Sequence, residues 1–192
     1  KSKLIGIFDS NSKRASIISK RYGVDNFNSQ SELIEKCDAI SIVTPTESHY
    51  KIAKTILKYG KHVFVEKPIT ANVQDANELI DLAIKRRLIL QVGHIERINP
   101  ALLALSDYKL DPKYIEIQRL APYSVRGTDV PVVLDKMIHD LDILLSLVKT
   151  PLKEIHADGL SILTDSIDMA HARISFQNGT IANITSSRIA KE

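Results

Sequence analysis

Apolar and polar positions change their rhythm halfway along the chain. In the first half, short continuous apolar runs alternate with stretches of helical period. Leu4 to Phe8 reads as a strand ending at Asp9, and Ser12 to Tyr22 as a helix closed by Gly23. Ser31 to Lys36 predicts a short helix, Ala39 to Val43 a second strand broken by Pro45, and Ser48 to Tyr59 a helix stopped by Gly60. A third strand, His62 to Val65, precedes a helix from Ala71 to Arg87 with Thr70 as its cap, and Leu88 to Val92 is a fourth strand. Strict alternation of strand and helix implies a parallel sheet covered on both faces, and doubly buried strands are continuously apolar.

The second half follows another pattern. Ala101 to Ser106 and Leu134 to Val148 have helical period, while Tyr114 to Leu120 alternates as a strand with one wet face. Ile155 to Leu163, Asp168 to Phe176 and Thr180 to Ser186 read as strands, the last two flanking Asn178-Gly179, a hairpin signal. Successive strands imply an antiparallel sheet in an α+β domain. The expected division is residues 1–96 for the α/β domain and 97–192 for the α+β domain.

Composition adds limits. With 44% hydrophobic and 26% charged residues, the chain has the balance of a soluble globular protein. The net charge of +3 is dispersed, and its densest cluster, Lys85-Arg86-Arg87, ends a predicted helix where cations suit the macrodipole, so nucleic acid is not an expected partner. Cys37 is the only cysteine and sits among apolar neighbours, which suits a buried, unreactive thiol in a reducing compartment. No apolar run approaches the ~20 residues that cross a bilayer. A cytoplasmic protein with no membrane partner is expected. The chain starts Lys1-Ser2-Lys3 directly before an apolar run and ends just after a strand, so both ends read as cut from something longer.

Candidate chemistry gathers at strand ends and on one helix. Asp9 closes the first strand, where an acid accepts hydrogen bonds from ribose hydroxyls and repels a 2′-phosphate. NAD is thereby favoured, while Lys13 and Arg14 nearby leave NADP open. Ser10 follows Asp9. Thr44-Pro45 ends the second strand at the edge where parallel sheets meet ligands. His49 reads as an exposed first-turn residue and is carried with these as a cofactor-side candidate. Glu66-Lys67-Pro68 follows the third strand, and Pro68 biases Lys67 toward an extended backbone. A fixed ammonium there can hold a substrate hydroxyl and stabilise an oxyanion.

In the helix from Leu134 to Val148, Asp135, His139 and Asp142 stand at i, i+4 and i+7 on one face, and the segment is apolar around most of its circumference. A buried helix needs a partner or a cavity for such groups. Histidine is the usual proton acceptor near neutral pH, and a carboxylate one turn away can orient it. Asp and His also ligate divalent metals, although no third ligand is specified by spacing, so no metal is expected. His94 closes a strand after Gly93 and can touch ligand; His156 and His171 read as structural. Arg97, Arg119 and Arg126, with Asn99, are candidates for a phosphorylated or sugar substrate, since Arg binds phosphate in a bidentate manner.

Together, Asp9, Thr44-Pro45, Glu66-Lys67-Pro68, Gly93-His94 and Asp135-Lys136-Met137-Ile138-His139 resemble the Gfo/Idh/MocA oxidoreductase family in their order along the chain. The resemblance implies a Rossmann-type doubly wound parallel sheet followed by an α+β domain with a mainly antiparallel sheet. It implies a substrate bound between the domains and a homodimer or homotetramer built through that sheet. It assigns Lys67, Asp135 and His139 as catalytic, and NAD(P)-dependent oxidation of a CH–OH group in a sugar or nucleotide sugar as the activity. Residues 93–100 with Arg119 to Arg126 resemble the branch acting on the 3-hydroxyl of UDP-N-acetylglucosamine. The chain departs from the family in length, and none of its seven glycines forms a G-x-G, so either the fold is not a Rossmann domain or, as the abrupt start favours, the first β-α unit with its phosphate loop is expected to be missing. Two rival readings remain open from the residues: a module that senses a nucleotide or sugar without catalysis, and a metal-dependent hydrolase or lyase on the Asp-His face.

Overall fold

The computed structural model describes residues 2–124 and 130–191. The chain divides into two compact units, residues 1–66 with 72–91, and residues 67–71 with 92–192. The segment that follows Glu66 was expected with the first domain; residues 67–71 instead belong to the second unit.

In the first unit, β1 (Gly6–Ile7) pairs in parallel with β2 (Asp25–Asn26), joined by α1 (Ser12–Tyr22). Two polar residues make up β2, so it leaves no apolar run to find. After α2 (Gln30–Lys36), the strands β3 (Ala39–Ile42), β4 (His62–Val65) and β5 (Leu90–Val92) form a sheet in that order, with α3 (Thr46–Lys58) and α4 (Val73–Arg86) as connections. β3 and β4 run parallel, from Ala39 opposite His62 to Ile42 opposite Val65. Ile42, Ile56, Leu57, Val63, Val65 and Leu79 are essentially excluded from solvent and supply the core.

The helix ends follow capping chemistry. Asn11 and Ser29 accept backbone N–H groups from Arg14 and Glu32, and Gly23 closes α1 in the left-handed region at φ 63°. α4 is capped by Asn72, whose side chain accepts from the Asp75 N–H, rather than by the expected Thr70. Asparagine at this position is the stronger cap, and Thr70 is buried.

In the second unit, a 3₁₀ turn (Ile95–Ile98) leads into α5 (Pro100–Leu103). The expected helix over 101–106 is thus earlier and shorter, because Asn99 caps it with Pro100 in its first turn. β6 (Tyr114–Leu120), β7 (Leu152–Leu160), β8 (Met169–Phe176) and β9 (Ile181–Ser187) form one sheet in the order β6-β9-β8-β7. β7-β8 and β8-β9 are antiparallel and β6-β9 is parallel. Gly179, at φ 86°, makes the β8-β9 turn.

A π-helical turn (Val133–Met137) and α6 (Ile138–Leu147) pack on this sheet. Met137, Leu144 and Val148 meet Ala172, Ile174, Phe176 and Ile184, with Ile115 and Ile117 of β6 alongside. The predicted single α-helix from Leu134 to Val148 is therefore interrupted in its first turn, a deviation that often marks functional sites. β7 stops at Leu160 instead of Leu163 for a local reason. The carboxylate of Asp168 accepts hydrogen bonds from the N–H groups of Ile162, Leu163 and Thr164 at 2.7–2.9 Å, which folds that run into a loop. These bonds, with Thr164 Oγ1, outweigh burial and hold the Asp168 carboxyl well below the usual carboxylate range.

Candidate active site

Lys67, Asp135 and His139 all lie in the second unit. Lys67 follows β4 and is joined to Pro68 by a cis peptide bond. Its Nζ donates to the backbone carbonyl of Asp135 at 2.7 Å and to the Asp135 carboxylate at 3.1 Å. Asp135 sits in the π-helical turn with its side chain 12% exposed, and Lys136 approaches its other oxygen at 3.4 Å. The two bonds to Asp135 hold the Lys67 side chain in place.

His139 is one residue into α6. Its Nδ1 is buried with no hydrogen-bond partner among the described residues. Burial, then the positive charges of Lys67 and Arg119, push its pKa below the ordinary histidine value, against the opposing pull of Glu96 and Asp140. The imidazole is neutral at neutral pH and able to accept a proton. A neutral imidazole beside a positioned ammonium can take the proton from a hydroxyl while the ammonium holds the oxygen.

Beside this centre, Asp142 accepts two hydrogen bonds from Arg97, at 2.7 Å from Nε and 2.6 Å from Nη2. His94 Nδ1 lies 3.9 Å from the same carboxylate and has no hydrogen-bond partner among the described residues. Burial acts against the charged form of Asp142, but Arg97, His94 and His139 together hold its pKa below the ordinary value. Arg97 thus serves as a clamp on Asp142. Asn99 is likewise a structural residue here: it caps α5 by accepting from Ala101 N–H and donates to Glu96. Arg126 lies outside the described residues. Arg119, a candidate for the substrate's phosphates, reaches onto α6 and grips Asp140, a buried acid that sequence reasoning passed over. Its partner is 21 residues away, so no local spacing points to it.

The cofactor-side candidates belong to the first unit. Asp9 Oδ1 accepts from Asn11 N–H at 2.8 Å, and Arg14 stands 3.5 Å from Oδ2. Lone pairs remain on that carboxylate at the carboxyl end of β1, which fits a ribose diol. Ser10, Thr44 and Pro45 are exposed, and Val43 is 72% exposed at the end of β3, an uncovered apolar lip suited to a planar ring. Thr44 Oγ1 accepts from Ser48. His49 corrects an expectation: it is buried, not exposed, and its Nε2 bonds the Thr44 carbonyl at 2.8 Å. It shapes the turn from within. Glu66 N–H continues the β3-β4 ladder to Ile42, and its half-buried side chain follows β4. Cys37 is buried, and burial, opposed by Lys61 and aided by Asp38, raises its pKa.

Among the described residues, no three His, Cys, Asp or Glu side chains are grouped to hold a metal ion. Among them too, no helix is long and apolar enough to cross a membrane.

Residues 1–94 match a family model described as the Gfo/Idh/MocA oxidoreductase family with an NAD-binding Rossmann fold. Residues 119–192 match the Gfo/Idh/MocA C-terminal domain. The chain belongs to the Gfo/Idh/MocA oxidoreductase family. It is 40% identical over 192 residues to UDP-N-acetylglucosamine 3-dehydrogenase of Acidithiobacillus ferrooxidans, an alignment covering all of this chain and 61% of that enzyme. A solved structure of that enzyme superposes with a TM-score of 0.93 at 39% identity, covering 98% of this chain and 63% of the other. Myo-inositol 2-dehydrogenase of Thermotoga maritima is 27% identical over 206 residues, covering 97% of this chain and 61% of that enzyme. The chain therefore spans about three fifths of these relatives.

Proposed function

We propose that the protein is an NAD-dependent dehydrogenase that oxidises a secondary hydroxyl of a nucleotide sugar, with the 3-hydroxyl of UDP-N-acetylglucosamine as the preferred target. The observation that carries this reading is the ammonium of Lys67, fixed on Asp135, beside a neutral and unpartnered imidazole at His139. The likeness to UDP-N-acetylglucosamine 3-dehydrogenase, stronger than that to the inositol enzyme, supports the choice of substrate.

Bound NAD supplies the acceptor for the hydride that leaves the carbinol carbon. His139 takes the hydroxyl proton, so the C–O bond gains double-bond character as the C–H bond breaks. Lys67 donates to that oxygen throughout and stabilises its developing negative charge. Asp135 holds the Lys67 ammonium in place and is itself within reach of a hydroxyl. Asp9, Ser10, Thr44, Pro45 and Glu66 would hold the cofactor, with His49 supporting the Thr44 turn. His94 lines the substrate side. Neighbouring copies would associate through the second sheet, whose edge strand β7 is exposed along its whole length and carries Ile155 and Leu160 uncovered.

The test is to incubate the full-length protein with NAD and a panel of UDP-sugars and inositols, following reduced nicotinamide by absorbance. Turnover confined to UDP-N-acetylhexosamines supports the reading. Turnover of inositol alone, or none with any CH–OH substrate, contradicts it.

A further inference from the structure

β6 presents Ile115, Ile117 and Arg119 at successive inward positions of its alternating pattern, and the first two pack in the apolar core beneath α6. The third inward position thus places a guanidinium where the pattern calls for another hydrophobe. Arg119 Nε lies 3.0 Å from both carboxylate oxygens of Asp140, and Nη2 lies 2.7 Å from Oδ1. Asp140 is 1% exposed and immediately follows His139 on α6.

A buried ion pair is a poor device for stability, since well-packed apolar replacements are often as stable or more so. What such a pair does supply is a fixed geometry and a fixed local charge. We infer that Arg119 and Asp140 are positioning residues, locking the first turn of α6 onto β6 so that the His139 ring is held in place as a proton acceptor. This rests on the acceptor role proposed for His139.

The electrostatic surroundings agree with that assignment. Lys67, itself paired with Asp135, and Arg119 lower the affinity of His139 for a proton. Glu96 from the 3₁₀ turn and Asp140 act in the other direction, while Asp142, clamped by Arg97 beside His94, also interacts with the ring. Arg119 and Asp140 therefore pull the imidazole in opposite senses.

The experiment is histidine-selective NMR titration of the full-length protein, with the His139 signal assigned by its loss in His139→Gln. Arg119→Met is expected to raise the His139 pKa and Asp140→Asn to lower it, each by roughly one unit or less, while Arg119→Lys stays near the parent. Unchanged titration in both variants, or shifts of the same sign, would overturn the proposal. Should Arg119→Met fail to fold, the double variant Arg119→Met/Asp140→Leu removes both charges together. It is expected to fold and to lose roughly tenfold or more in kcat with KM little changed. Wild-type kcat and pH profile in that folded double variant would overturn the positioning role. Titration needs no turnover, so a His139→Gln variant with full activity would strike the acceptor assignment separately.

Discussion

Lys67 Nζ is bonded to Asp135 twice, once to its backbone carbonyl and once to its carboxylate. The double attachment ties the residue after β4 to the π-helical turn that precedes α6. It separates two roles of Asp135 that substitution can distinguish. Asp135→Asn keeps an oxygen acceptor and the backbone bond, so Lys67 stays near its position and loses only the neutralising charge. Asp135→Ala removes the side-chain anchor. Steady-state kinetics should show a loss in kcat of roughly tenfold for the amide and a hundredfold for alanine. Equal losses would mean that charge alone matters.

The pKa of His139 lies below the ordinary histidine value, so the folded protein binds a proton there less readily than the unfolded chain does. Two consequences share one sign. As pH falls below about 6.5, the unfolded chain gains protons first and stability declines toward the lower folded pKa. Over the range below that value, kcat/KM for alcohol oxidation also falls as the acceptor is filled. Rate-pH profiles of the parent and His139→Gln check this, the variant losing the acidic limb together with most of its rate.

Asp9 stands at the end of β1 with lone pairs left beyond its bond to Asn11. If it binds the ribose diol, Asp9→Ser removes the carboxylate that a 2′-phosphate would meet. The ratio of kcat/KM for NAD over NADP should then fall about tenfold or more, equivalent to ~1.4 kcal/mol. Arg14, 3.5 Å from Asp9, is close enough to serve the phosphate in that variant.

Much of the fold is visible in the chain because buried strands and amphipathic helices leave different periods. The β-α alternation of the first half, β6, the Asn178-Gly179 hairpin and the helix bearing His139 all come from that source. Lys67, Asp135 and His139 stand out through the order of several short motifs along the chain, each of which alone says little. What is not visible depends on tertiary pairing. Asp140 and Asp142 look alike in sequence, yet one meets Arg119 and the other Arg97. The burial of His49 depends on a carbonyl five residues back, and the end of β7 on an acid that collects three N–H groups from the following loop.

That core sets a stability expectation independent of catalysis. Leu144 is fully buried between α6 and the second sheet. Leu144→Ala should destabilise the protein by about 2–5 kcal/mol through lost burial and a residual cavity. Chemical denaturation measures this, with the midpoint lowered and the slope unchanged. Leu145→Ala, one position along and half exposed, should cost far less.

The most direct measurement is turnover of UDP-N-acetylglucosamine with NAD by the full-length protein and by Lys67→Ala. Formation of reduced nicotinamide by the parent, with kcat falling roughly 10²- to 10⁴-fold in the variant and cofactor binding unchanged, is the predicted result. A folded Lys67→Ala variant that keeps the parental rate would contradict the account.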